Sequence, residues 1–252
     1  MKNFVQEDSI VREIWGKSDT ILFIFAGGAA EFALNKAVDW LYYTGKLPSD
    51  PIGRLFSTVN YAKRIVFAPS AEAEKAIATM ATIHINLEKA RGYEIPDWAY
   101  RDVLYMLIYY SIASYELLER KLSLAEKEEV YRVFYRVGKG MGLQDLPGNY
   151  KEWLPERQAH LQRNLIRSEF TEDLYLQYKR QLGVLRYRLL IEAQILVVPA
   201  EVKQFLKFRK ISFLLPAVPL YKLSRKFRLD GIAKNLLLPS EYKKQIAGLD
   251  VR

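Results

Sequence analysis

DWAYRDVLYMLIYYSIASYELL, residues 97–118, is the stretch whose reading sets the fold class. Val103, Leu104, Leu107, Ile108, Ile112, Tyr115 and Leu118 recur three and four residues apart, which lays one wide apolar stripe along a helix. Pro96 and Asp97 suit its first turn. A helix this apolar has to lie among others, so it is the expected centre of the molecule. Toward the N-terminus, Ser70 caps a helix with Glu72 and Glu74 in its first turn and Ile77, Met80, His84 and Leu87 on one face, ending near Gly92. Pro51 opens another that runs to about Phe67. Asp19 starts a long one through Trp40 and Tyr43, ended by Gly45 and Pro48, in which the pair Gly27-Gly28 marks a close helix contact or a kink.

Toward the C-terminus, Ser123 and Glu126 form a capping box, and the helix they open ends in the glycines at 138, 140 and 142. Further helices are expected over 150–167, split or kinked at Pro155, and over 171–198. Pro199, Pro216, Pro219 and Pro239 break the rest into short pieces. No run alternates apolar and polar residues, and no long linker divides the chain. The expected fold is all-α: a single-domain multi-helix bundle, with a helical domain over 1–200 and a basic, proline-broken extension over 201–252 packed on or beside it.

With 50% apolar and 27% charged residues the chain has material for a substantial core and is too apolar for disorder. It has no Cys, which excludes disulfides, iron–sulfur clusters, Cys-bearing zinc sites and thiol nucleophiles. With only His84 and His160, multi-histidine metal sites are excluded too. Neither His has a Glu three residues before it, against a helical diiron centre, and no Asp-Asp pair exists to hold magnesium diphosphate. The glycines at 138–142 lack phosphate-loop spacing and read as helix termination. Glu7 and Asp8 fall where a signal peptide needs its apolar core, and the apolar run 21–30 is half of the roughly 20 residues a spanning helix needs. A cytoplasmic chain, peripheral to a membrane at most, is expected.

His84 has two readings: a structural imidazole satisfied by one carbonyl, or a single axial ligand to haem iron, which needs no second protein donor. His160, between Arg157 and Arg163, reads as facing solvent. Arg54 and Thr58 lie four apart on one helix face, continued by Tyr61 and Ile65, and read either as ordinary helix positions or as a polar pair at a site.

The order of these features carries a resemblance. Asp50-Pro51-Ile-Gly-Arg54-Leu-Phe-Ser-Thr58, then Ile65-Val66-Phe67, then a helix with a lone His84, resembles the D-P-x-x-R-L-x-x-T pattern, V-F-G-like segment and later histidine of the superfamily of the latex-clearing rubber oxygenase and the fungal endoplasmic-reticulum-bound oxygenase. Trp15, Phe25-Ala-Gly-Gly28, Pro96-Asp97-Trp98, Glu116, and Leu146-Pro147 before Trp153 extend it over about residues 12–200. The resemblance implies an all-α fold with a hydrophobic cofactor and substrate pocket holding haem b. His84 would be the iron ligand, and Arg54, Thr58 and Tyr61 would lie near the cofactor. It also implies dioxygen-dependent cleavage of a carbon–carbon double bond in a hydrophobic substrate. Asn35-Lys36-Ala37 stands where relatives carry His-Pro, Ala68 where the V-F-G segment has Gly, and Ser57 where the rubber enzyme has a lysine, so that lysine's role is not carried over.

The net charge of +9 is local. Residues 179–228 carry +10 and the rest −1. From Lys203 to Arg228 the cations interleave with aromatic and aliphatic residues, which suits an anionic membrane surface or an apolar side packed on the core with cations outward. No nucleic-acid recognition motif accompanies them. The sequence therefore points to a haem-dependent oxygenase acting on an isoprenoid or fatty substrate, with two rivals. One is a haem-free helical lipid- or membrane-binding protein; the other keeps haem for sensing, storage or electron transfer.

Overall fold

The computed structural model describes residues 2–43 and 51–226, with the side chains at 41, 51, 52, 54–57 and 226 outside the description. In chain order the helices are α1 (Ile10–Trp15), α2 (Ser18–Phe32), a 3₁₀ turn (Lys36–Val38), α3 (Asp39–Tyr43), α4 (Pro51–Val66), α5 (Ser70–Arg91), α6 (Asp97–Leu118), α7 (Leu124–Gly140), α8 (Tyr150–Asn164), α9 (Glu169–Val197), α10 (Ala200–Phe205) and α11 (Ala217–Lys226). Among the described residues there is no strand, only the isolated bridges Asn3 to Pro69 and Asn35 to Leu165. The fold is an all-α bundle in one domain.

The centre is α6. Tyr105, Ile108 and Tyr110 are fully buried, and α2, α7, α8, α9 and α11 all pack against it. Close approach to α2 depends on Gly27: a Cβ there would meet the Tyr110 ring at 2.3 Å, whereas one on Gly28 would meet open space. Gly27 is thus the contact glycine of the pair. The Ser123–Glu126 capping box opens α7 as expected, and Gly140, where a Cβ would meet Ile77 at 2.8 Å, lets α7 approach α5.

Several boundaries differ from expectation. Ser70 is the first residue of α5 rather than its cap, which is Pro69. The helix expected to run from Asp19 to Tyr43 stops at Phe32. The Asn35 side chain accepts from Ala37 N at 2.8 Å, and the Leu34 carbonyl accepts from Ile166 N at 2.7 Å, so long-range and local bonds both take groups that a continuing helix would use. Gly45 and Pro48 lie outside the described residues. Pro155 sits inside an unbroken α8, where the i−4 carbonyl it forgoes belongs to exposed Lys151. Within α9, Gly183 takes φ +71 and ψ 170, a conformation that interrupts the helix and that suits glycine. Helices α10 and α11 follow Pro199 and Pro216 as expected, whereas Pro239 lies outside the described residues.

Candidate functional site

His84 lies in the C-terminal half of α5, which Gly92 ends in the left-handed conformation at φ +76. Its side chain is half-buried. The Nδ1–H donates to the Met80 carbonyl at 2.8 Å, one turn earlier, which assigns the proton to Nδ1. Among the described residues Nε2 has no hydrogen-bond partner. The Tyr100 ring stands edge-on to the imidazole at 5.3 Å between centroids. Tyr100 is itself held: its hydroxyl donates to Glu88 Oε1 at 2.9 Å, and the same oxygen accepts from Ile95 N at 3.0 Å. Burial first, and then the bond to Glu88, push the Tyr100 phenol above its ordinary range and keep it a donor.

A cleft of about 500 Å³ opens beside this histidine. Ala81, Ile85, Ile95, Met141 and Leu143 supply apolar walls, while Glu88, Glu94 and Asp97 supply carboxylates. The volume lies within the usual range for a small-molecule site, and the lining is mixed rather than purely apolar. Among the described residues no group of three or more His, Asp and Glu could hold a bare metal ion. A metal at His84 would have to bring most of its ligands with it. A porphyrin does so, and it asks the protein for one neutral imidazole whose second nitrogen is anchored. His84, with Nδ1 fixed and Nε2 without a partner among the described residues, meets that one requirement, whereas the cleft beside it, with Glu88, Glu94 and Asp97 in its lining, is not the hydrophobic cofactor and substrate pocket expected from sequence.

The other expected site residues are on α4. Thr58 is exposed, Tyr61 is half-buried, and the Arg54 side chain lies outside the described residues. Helices α4 and α5 pack together, so these positions and His84 sit on neighbouring elements. Among the described residues no side chain of α4 lines the cleft.

His160 does not face solvent. It is 6% exposed, and its Nδ1 bonds the carboxylate of Asp102 on α6. Asn35 and Asn164 donate to the other oxygen of Asp102 at 2.7 and 2.9 Å, and the Tyr105 ring lies 5.0 Å from the imidazole. Beside this cluster the buried Arg157 forms a bidentate ion pair with buried Glu31, which also accepts from Tyr110 Oη at 2.9 Å. The signal in the sequence is the spacing along α8: Tyr150, Trp153, Arg157, His160 and Leu161 share one buried stripe. The flanking Arg157 and Arg163 give the stretch a charged look, whereas its period decides which residues are buried.

Tyr100 and Glu88 are part of the site that the sequence reading does not name. The Glu88 signal is local, since it lies one turn after His84, whereas Tyr100 reaches the imidazole only through the turn between α5 and α6.

The family model for the "ER-bound oxygenase mpaB/B'/Rubber oxygenase, catalytic domain" matches residues 15–223, most of the chain. No curated protein and no solved structure matches it.

Proposed function

The chain belongs to the family of ER-bound oxygenase mpaB/B' and rubber oxygenase catalytic domains, and on that premise we propose that it is a haem-dependent oxygenase of a hydrophobic, isoprenoid or fatty, substrate in which His84 would hold the haem iron. Family membership supports oxygenase chemistry of the haem type with dioxygen and a lipophilic substrate as partners. The observation that carries the assignment to His84 is its hydrogen bonding, with Nδ1 committed to Met80 and Nε2 left over among the described residues.

Haem b, when bound, supplies the redox-active iron for oxygen chemistry, up to oxidative cleavage of a carbon–carbon double bond. The chain's own residues do the rest. The Met80 carbonyl fixes the His84 tautomer and raises the basicity of Nε2. The Tyr100 ring, tethered through Glu88, limits rotation of the imidazole. Arg54 offers a fixed charge to a carboxylate or polar group, and Thr58 a hydroxyl, both from the helix packed beside α5. Tyr61, one turn beyond, adds a half-buried aromatic surface on the same helix.

The domain over 1–200 carries this site, and the extension from 201 brings the protein to an anionic membrane surface where a lipophilic substrate is concentrated. Among the described residues no helix is long and apolar enough to cross a membrane, so this contact would be peripheral. Exposed apolar residues between 211 and 223 are the observation that also suits a haem-free lipid-binding module. Oxygen uptake separates the readings. Haemin-loaded protein given a neutral polyisoprenoid is expected to consume dioxygen, and Thr58→Ala to lower the rate by roughly tenfold or more. A loaded protein that consumes none with isoprenoid or fatty substrates would contradict the enzymatic reading.

A further inference from the structure

Helix α11 is mounted with its amphipathic faces reversed. Tyr221 Oη donates to Asp19 Oδ2 at 3.0 Å, Lys222 Nζ donates to the Glu119 carbonyl at 3.0 Å, and Arg225 pairs with both Asp19 and Glu119. The polar side of the helix therefore meets α2 and the end of α6. Ala217, Leu220 and Leu223, three residues apart, line the other side, where Leu220 is 69% and Leu223 51% exposed. The approach to the helix continues the surface: Ile211 is 65%, Phe213 78% and Leu215 48% exposed. A helix on the surface of a soluble domain ordinarily buries its apolar stripe and shows its charges to water. The arrangement in which this segment packs its apolar side on the core, one of the two expected from sequence, holds for Phe205, Leu206 and Phe208, which lie against the core, and fails for Ile211, Phe213, Leu215, Leu220 and Leu223. The other needs amendment, because Arg225, Lys222 and Arg209 are engaged by Asp19, Glu119 and Glu192 instead of standing free.

What covers such a face follows from charge. No Asp or Glu occurs from 202 to 229. Lys207 and Lys210 are exposed beside the apolar residues, and among the described residues neither forms a salt bridge. A second copy docking through the same face would set these lysines against each other, whereas an anionic bilayer offers both hydrocarbon and negative charge.

We propose that residues 211–223 form a membrane-insertion face, in which Phe213, Leu220 and Leu223 enter the interface of an anionic bilayer and Lys207 and Lys210 meet its headgroups. The inward ion pairs of Arg225 hold the inserted helix to the domain. This deepens the membrane reading above and rests on it: apolar insertion, with Lys222 and Arg225 turned inward, makes the contact.

Co-sedimentation of the full-length protein with phosphatidylcholine vesicles, with and without phosphatidylserine, tests it. The parent is expected to bind the anionic vesicles. Leu220→Glu with Leu223→Glu is expected to lower partitioning by about tenfold or more, and Lys207→Glu with Lys210→Glu by about tenfold. Both leucines are exposed, so the melting temperature is expected to stay at the parent value. Phe213→Trp adds an independent probe: the emission of the introduced indole is expected to shift to the blue on vesicle addition. If the leucine variant binds like the parent while the lysine variant does not, or if the indole emission of the Phe213→Trp variant stays unchanged in bound protein, insertion is overturned and the membrane reading survives. A parent that binds no anionic vesicles overturns both. Self-association abolished by the leucine substitutions would make the face an interface between copies and likewise overturn the proposal.

Discussion

His84 and His160 place the same ring in opposite surroundings. His160 is sealed between α6 and α8, its Nδ1 on Asp102, with Asn35 and Asn164 completing that carboxylate and Arg157–Glu31 closing the buried layer alongside. His84 stands at the wall of an open cleft with one backbone bond and one nitrogen to spare. A histidine whose polar neighbours are built around it has been used by the fold. One that the fold supports on a single side is available for chemistry. The contrast separates stability from cofactor binding, and substitutions on the two sides should separate them as well.

The largest effect on stability is expected at the buried layer. Arg157→Ala leaves the buried Glu31 without its ion-pair partner and, among the described residues, with the Tyr110 hydroxyl as its remaining side-chain donor, and should cost about 3–5 kcal/mol in chemical denaturation. A loss under about 1 kcal/mol would mean that water reaches the pair. His160→Ala removes the imidazole from Asp102 and leaves a void against Tyr105. The expected loss is about 2–4 kcal/mol. Gly27→Ala forces α2 away from the Tyr110 ring and should cost about 1–3 kcal/mol by the same measurement. His84→Ala breaks one hydrogen bond at a half-buried position and should cost about 1 kcal/mol or less in the haem-free protein. If His84→Ala proves the more damaging of the two histidine substitutions, the contrast fails.

The smallest effect concerns α11. Burial alone would favour the neutral form of Glu119, but hydrogen bonds from Lys17 and Arg225 outweigh it and hold the carboxyl below its ordinary range. A carboxyl lowered in the folded state stabilises it above the unfolded value of about 4.3, and that contribution fades as pH falls through the folded value. Melting temperature should therefore decline through that acid range. The decline should be shallower in Arg225→Ala, and identical slopes would count against the Arg225–Glu119 pair as a hold on α11.

The legible parts of the molecule are those governed by local period and capping. The stripe on α6, which holds at Leu104, Ile108, Ile112, Tyr115 and Leu118 though not at the exposed Val103, the Ser123–Glu126 box and the end of α5 at Gly92 are all set by neighbours within a few residues. Long-range partners govern what was missed. Beyond the end of α2 the Asn35 side chain is engaged by Asp102, on another element, and Lys222 and Arg225 turn inward because Asp19 and Glu119 lie at the ends of other helices. The site was half legible. Motif order singles out His84, Arg54 and Thr58, yet the Tyr100–Glu88 support depends on how the turn between α5 and α6 folds back.

Haemin titration monitored at the Soret band, on the parent, His84→Ala and a folded His160 variant such as His160→Gln, tests the division of labour most directly. The parent and the His160 variant should both develop the band of a histidine-ligated haem, and His84→Ala should show only the spectrum of loosely held haemin. An unchanged band in His84→Ala, or its loss in the His160 variant alone, would contradict the assignment of His84 as the iron ligand.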